Sequence, residues 1–247
     1  MPSKLAGKTI ILTGSSVVQP IAQLIEENGG KVLHFPLIET VELITPEDPQ
    51  WLAQLQTYDW LIFTSQNAVT SFFSKCVRHQ VVVPNHLKIA AVGEKTAARL
   101  QANGLQVDFM PTIFSADVFV QQFALAEGER ALFLRGSLAK DTIRASIAVD
   151  EWTVYETKSC LKHLNDLEKA LVQCEQPIVI FASPSAVDIY AKRIVPDLDW
   201  GYVKFASIGH VTTAALAKYG VTPIVQPKTY TMQAVIEQLI LEETTND

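Results

Sequence analysis

Apolar positions along the chain follow two alternating patterns. Short runs rich in β-branched and aromatic residues predict strands: KTIILT (8–13), KVLHFPLI (31–38), DWLIFTS (59–65), LKIAAV (87–92) and QVDFMP (106–111). Longer stretches with apolar residues three and four apart predict helices. In VVQPIAQLIEENGG the apolar positions are 17, 18, 21, 24 and 25, with Pro20 in the first turn and Gly29-Gly30 as the stop. Ser65 is placed to cap a helix through Val69, Phe72 and Phe73, and Ser115 to cap ADVFVQQFAL (116–125). The second half repeats the alternation with RALFLRG, EWTVYET, PIVIFAS, VKFASIG and TPIVQP, each followed by a helical stretch, and YETKSCLKH (155–163) is the best crossover between halves. EDPQ (47–50) and VVVPNH (81–86) read as breaks. Alternation of this kind predicts parallel sheets with helices on both faces.

The chain also repeats itself. VGEKTAARLQANGL (92–105) answers IGHVTTAALAKYGV (208–221) at an offset of 116, pairing Gly93 with Gly209, Thr96 with Thr212, Leu100 with Leu216, Gly104 with Gly220 and, further on, Pro111 with Pro227. FTSQNAV (63–69) answers FASPSAV (181–187) at an offset of 118. Solenoid repeats run roughly 20–50 residues. This spacing predicts two similar α/β halves with a cleft between them.

Composition narrows the class. The 247 residues allow one or two domains, and 48% apolar with 19% charged content describes a packed globular chain. A net charge of −6 argues against a nucleic-acid partner. No apolar run reaches the roughly 18–20 residues of a membrane span, and the N-terminus lacks the pattern of a secretion signal. Cys76, Cys160 and Cys174 are far apart, as expected of idle thiols in the cytoplasm. The scattered histidines suggest no metal site. There is no G-x-G-x-x-G, P-loop or G-x-S-x-G motif.

What remains is a set of strand-to-helix tips rich in Gly, Ser and Thr: TGSS (13–16), TSQN (64–67), VGEKT (92–96), RGS (135–137), SPS (183–185) and IGHVT (208–212). In open α/β sheets ligands bind at such tips. Hydroxyls there cap helices, and backbone N–H groups at helix N-termini attract anions. Many such groups with few strong acids or bases suit a polyanionic ligand whose shape must be controlled.

The ordered strings YDWLIFTSQNAVTSFF (58–73), LKIAAVGEKTAARLQANGLQVDFMP (87–111), ALFLRGSLAKDTI (131–143), EWTVYETK (151–158), IVIFASPSAVDIY (178–190) and SIGHVTTAALAKYGV (207–221) resemble the uroporphyrinogen-III synthase family over nearly the whole length. The resemblance implies two α/β domains joined by two strands, residues 1–36 plus 158–247 and residues 39–154, with a cleft between them. It implies a lyase that closes hydroxymethylbilane, a linear tetrapyrrole with eight carboxylates, to uroporphyrinogen III with inversion of ring D and loss of water, and needs no cofactor or metal. Tyr155, in the family's vYeT segment, would donate a hydrogen bond or proton to the leaving hydroxyl. Thr13, Ser65, Asn67, Gly93, Thr96, Arg135, Gly136, Ser137, Ser183, Ser185, Gly209 and Thr212 match positions at which the family meets substrate. Ser185 is an alternative to Ser183, and Arg135 would meet a carboxylate or form a surface ion pair. The resemblance further implies a monomer, no nucleic-acid or membrane partner, and a transient contact with the preceding pathway enzyme.

Two departures stand out. Many members have Thr-Arg where this chain has Thr13-Gly14, so a basic contact is absent or comes from another residue such as Lys95. The usual Gly-Pro is Gly209-His210. A non-catalytic two-domain binding protein and a degenerate synthase-like domain are the competing readings.

Overall fold

The computed structural model describes residues 4–16, 19–196 and 198–245. Val17 and Val18, assigned above to a helical face, and Asn246 and Asp247 of the polar tail lie outside them. The chain forms two compact units. One comprises the described residues up to Glu39 together with those from Lys158 onward; the other is Thr40–Thr157.

The first unit holds a four-stranded sheet in the order β2-β1-β8-β9: β1 (Thr9–Leu12), β2 (Lys31–His34), β8 (Pro177–Phe181) and β9 (Lys204–Ser207). All its pairings are parallel, with Thr9 beside both Lys31 and Pro177. Its helices are α1 (Gln19–Glu27), α7 (Leu164–Gln173), α8 (Pro184–Arg193), α9 (His210–Ala217) and α10 (Met232–Thr245). The second unit's sheet has the order β3-β7-β6-β4-β5: β3 (Ile38–Glu42), β4 (Trp60–Phe63), β5 (Lys88–Ala91), β6 (Ala131–Gly136) and β7 (Val149–Ser159). Strands β5, β4, β6 and β7 run parallel. The helices here are α2 (Asp48–Gln54), α3 (Gln66–Arg78), α4 (Glu94–Ala102), α5 (Ala116–Gln122) and α6 (Thr142–Ser146). The chain passes between the units twice, once inside β3 and once inside β7.

The uninterrupted apolar strands follow from burial on both faces. Along β4, Leu61 and Phe63 join one core with Val69, Phe72 and Leu100, while Ile62 points into another with Phe119, Phe133 and Ile143. In the first unit Ile11, Val179 and Phe205 pack against Leu167, Val187 and Leu216; their neighbours Ile10, Ile178 and Ala206 pack against Ile25, Val235 and Ile236. Side chains alternate across each sheet, so a central strand is apolar on both faces at most of its positions.

Several sequence expectations are corrected. QVDFMP and TPIVQP each make only one parallel bridge, Phe109 to Ala90 and Val225 to Ala206. Proline at 111, 223 and 227 removes ladder donors, and the Asp108 carboxylate takes the Ile89 N–H at 2.8 Å in place of a backbone partner. KVLHFPLI ends as a strand at His34; beyond Pro36 the separate strand β3 begins, too polar to be read from its pattern. EDPQ is not a break. Its Asp48 opens α2, with Pro49 in the first turn, where proline is tolerated.

Asp48 explains that helix. Its carboxylate is fully buried and 2.6 Å from the Nζ of Lys75, also fully buried, and Thr45 donates to it from both N–H and hydroxyl. Lys75 donates in addition to the Leu43 carbonyl. The pair therefore ties α2 and the end of β3 to α3. Removing one partner strands the other charge, so Asp48→Ala is expected to cost about 3–5 kcal/mol in urea unfolding, and Asp48→Leu with Lys75→Met less; a single-variant loss below about 1 kcal/mol would contradict this role.

Nearby, Arg78 grips both oxygens of Glu42 at 2.7 and 2.8 Å. This hydrogen bonding, against an opposing effect of burial, holds the Glu42 carboxyl below its ordinary 4.5. A carboxylate depressed in the folded state adds stability above its unfolded value and loses it as pH falls through the folded value. Stability measured by denaturant titration should therefore fall below about pH 4.5, less steeply in Glu42→Gln; an identical slope would contradict the assignment.

Candidate active site

Strand ends set the site in the second unit. The pairing of β6 with β7 slips between Arg135 and Gly136, so that Arg135 lies beside Thr153 and Gly136 beside Tyr155. The slip lays the Tyr155 ring across Gly136. A Cβ at position 136 would stand 2.3 Å from Tyr155 Cζ and 2.6 Å from its hydroxyl oxygen, so any other residue there displaces the ring. Ser137 donates its N–H to the Tyr155 carbonyl at 3.0 Å and accepts from Thr157 N–H at 3.3 Å, fixing the strand beyond the slip.

Ser65 follows β4 and caps α3, accepting the Ala68 N–H at 3.1 Å. Its own proton goes to the Tyr155 hydroxyl oxygen, also at 3.1 Å. In this bond Ser65 donates and the Tyr155 oxygen accepts, which leaves the phenolic proton for a third group. Tyr155 thus touches two other expected residues, Ser65 and Gly136, with Ser137 next in the chain. Asn67 is exposed on the first turn of α3.

The neighbouring strand continues the rim. Val92 N–H bonds to Phe63 C=O at 3.0 Å, bringing the end of β5 beside the end of β4. Gly93 then starts α4 with no side-chain cap. Its carbonyl accepts from Thr96 and Ala97 N–H at 3.0 Å, and the Thr96 side chain is buried. The first unit repeats these details. Ile208 N–H bonds to Phe181 C=O at 3.0 Å, Ser183 caps α8 by accepting Ala186 N–H at 3.3 Å, and Gly209 starts α9, its carbonyl accepting from Thr212 N–H at 3.0 Å. Ser185 is half-buried in the first turn of α8.

Two expected residues are occupied otherwise. Arg135 is 9% exposed and forms ion pairs, the second of the two uses expected of it. Its guanidinium bonds to Glu151 and to the Ala139 carbonyl, with Asp141 at 3.7 Å, so its charge is already matched inside the protein. A strand run gives no hint of this partner, because Glu151 sits outside the quoted R-G string. Thr13 is fully buried; its hydroxyl donates to the Ile180 carbonyl at 2.8 Å and its carbonyl accepts from Leu37 N–H at 3.1 Å. It joins β1 to β8 and presents no free group. His34 Nε2 lies 2.7 Å from the carbonyl of Gly14, the residue standing at the departure noted above.

Among the described residues no group of three or more His, Cys, Asp or Glu is placed to hold a metal ion. Burial pushes the Cys76 thiol up to about 12, away from nucleophilic character.

The sequence pattern of the family described as "Uroporphyrinogen-III synthase HemD" matches residues 19–237. The chain belongs to the uroporphyrinogen-III synthase family. It is 29% identical to the uroporphyrinogen-III synthase of Synechococcus elongatus, covering 94% of each chain, and 28% identical to that of Chlorobaculum parvum, covering 90% of this chain and 93% of that one. In three dimensions it resembles the uroporphyrinogen-III synthetase of Helicobacter pylori with a TM-score of 0.66 at 21% identity, over 95% of this chain and 99% of that one, a likeness of fold. The family is one of enzymes.

The clearance between Gly136 and Tyr155 gives a prediction. Gly136→Ala is expected to destabilise the protein by about 1–3 kcal/mol through overpacking. In a Tyr155→Ala background the same change should cost much less, and denaturant unfolding of all four proteins measures the coupling. Equal costs in both backgrounds would show that the ring does not occupy the space of a 136 side chain.

Proposed function

We propose that the chain closes hydroxymethylbilane to uroporphyrinogen III, with Tyr155 as general acid. The observation that carries this reading is the Ser65 bond to Tyr155, which makes the phenol oxygen an acceptor and leaves its proton for another partner. The terminal hydroxyl takes that proton as its bond to carbon breaks, and it leaves as water. The lone pair of the adjacent pyrrole nitrogen fills the electron deficit and gives an azafulvene. Ring D attacks the exposed carbon through its already substituted α-carbon to give a spiro intermediate; the bond from that α-carbon to the bridge from ring C then breaks, and the bridge carbon bonds to the free α-carbon of ring D, which inverts the ring. The proton lost when the ring regains aromaticity returns to the phenolate, so the enzyme ends as it began. General acid help of this kind contributes roughly 10²–10⁴-fold.

Holding the substrate is the larger task, because the bilane closes by itself to the uninverted isomer. Its carboxylates need donors, while the chain carries a net charge of −6 and the Arg135 charge is internally matched. Gly93 and Gly209 supply the supporting feature. Ser65 and Ser183 each take one N–H of their helix, that of Ala68 and of Ala186, whereas α4 and α9 begin at a glycine with no capping side chain and the N–H of Thr96 and of Thr212 goes to the glycine carbonyl. The two N–H groups ahead of these, at Glu94 and Lys95 and at His210 and Val211, face no capping side chain and in this reading meet carboxylates. In this reading the two compact units correspond to the family's two domains, and the three unpaired thiols fit a reducing cytoplasm.

The test is an isomer assay. Hydroxymethylbilane is generated in situ, and the products are oxidised and separated as uroporphyrin I and III. Wild type should give mainly type III. Tyr155→Phe should slow type III formation by roughly 10²-fold or more, and Ser65→Ala should slow it less while costing about 1 kcal/mol for the lost cap. Type III formation at the wild-type rate by Tyr155→Phe would remove Tyr155 from the chemistry, and type I alone from wild type would contradict the activity.

A further inference from the structure

We infer that Phe114 and Tyr230 are equivalent substrate-contacting residues, one in each unit, each offering an aromatic face to a pyrrole ring of the linear tetrapyrrole. The inference rests on the function proposed above and adds a second mode of recognition, through ring faces rather than carboxylates.

The two residues are 116 positions apart, the same offset that relates Gly93 to Gly209. Their surroundings repeat at that offset too. Ala91 N–H bonds to Phe109 C=O and Ser207 N–H to Val225 C=O, both at 3.0 Å, so the segments leading to the rings leave their sheets in the same way. The residue after each ring caps the next helix: Ser115 accepts from Val118 N–H and Thr231 from Ala234 N–H, both at 3.2 Å. Each aromatic is thus held at a fixed place, between an extended segment and a capped helix.

Each also lies against the glycine that begins the preceding helix. A Cβ on Gly93 would stand 3.6 Å from Phe114 Cβ, and a Cβ on Gly209 would stand 2.6 Å from Tyr230 Cδ1. At Gly209 the absence of a side chain is what lets the ring settle. His210 Nδ1, 2.9 Å from the Tyr230 hydroxyl, holds the ring further. This gives the unusual Gly-His pair a local role.

Neither ring is core. Phe114 is 49% exposed and Tyr230 54%, although Phe63, Phe72, Phe119, Phe133, Phe181 and Tyr190 are all fully buried. Folding left two rigid rings in water at the strand-end rim. In the second unit this is the rim that carries Tyr155: Gly93 follows Val92, Val92 is bonded to Phe63, and Ser65 two residues on touches Tyr155. The occupant that fits is a molecule of flat, electron-rich rings with flexible acidic arms. Carboxylates alone would hold such a ring by its arms and leave it free to turn, and control of ring orientation is what the reaction requires. An aromatic face pinned in advance limits that rotation.

Phe114→Ala and Tyr230→Ala are each expected to raise the KM for enzyme-generated hydroxymethylbilane roughly threefold to tenfold. The double variant should raise it further and increase the type I share. Tyr230→Phe should stay within about twofold of wild type if the ring face is what matters. Val82→Ala, at a residue 84% exposed in the loop before β5, controls for loss of exposed apolar surface and should change nothing. Titration with uroporphyrin III, followed by absorbance, reports binding without turnover, and both alanine variants should weaken it by similar factors. Wild-type KM and wild-type uroporphyrin affinity in both alanine variants would overturn the inference, as would a loss confined to thermal stability. Production of type I alone by wild type would instead overturn the proposed function; the uroporphyrin titration would then decide the inference by itself, with unchanged or absent binding counting against it.

Discussion

The Tyr155 ring occupies the space that a side chain at position 136 would fill. This exclusion depends on the slip in pairing between β6 and β7, which brings Gly136 rather than Arg135 opposite the tyrosine. It also depends on the Ser65 hydroxyl, which serves α3 and the phenol together. The slip, the glycine and the cap leave the ring one position and its oxygen one role. Such preorganisation matters in a reaction whose uncatalysed version already proceeds, because the enzyme's task is to choose among geometries.

Two sheets with both faces covered leave their strand ends as the places where backbone and short side chains meet solvent. The repeat builds that rim twice. Val92 and Ile208 make the same bond to the neighbouring strand, Ser65 and Ser183 the same cap, and Gly93 and Gly209 the same uncapped helix start. The copies have diverged where chemistry differs. Among the described contacts, the tyrosine-over-glycine packing at a strand pair belongs to Gly136 and Tyr155 in one unit, while Gly209 receives Tyr230 from the segment before α10 in the other.

Much of this was legible in the sequence because parallel strands buried on both faces are continuous apolar runs, and because serines before helices have one common use. The parts that were missed have physical causes. Strand β3, with polar residues at three of its five positions and acids at two of these, has no clear period; its place is set by pairing with β7. Helix α2 begins in what looks like a break because its first carboxylate is buried on a lysine 27 residues away. Thr13 and Arg135 carry the residue types expected of ligand contacts, yet Ile180 and Glu151, neither adjacent in sequence, take their hydrogen bonds. Phe114 and Tyr230 escape a repeat read from identical residues although the offset of 116 relates them, since Phe with Tyr is a likeness of ring rather than of letter.

The central claim is that the rim around Tyr155, Ser65 and Gly136 is where the tetrapyrrole reacts. A crystal structure with uroporphyrinogen III bound, grown under reducing conditions, tests it most directly. The account predicts a pyrrole-bridging carbon beside the Tyr155 hydroxyl, with a product or water atom within about 3.2 Å of that oxygen and the Ser65 bond intact. Product bound elsewhere, with the Tyr155 hydroxyl turned from it or taken by another protein group, would contradict the account.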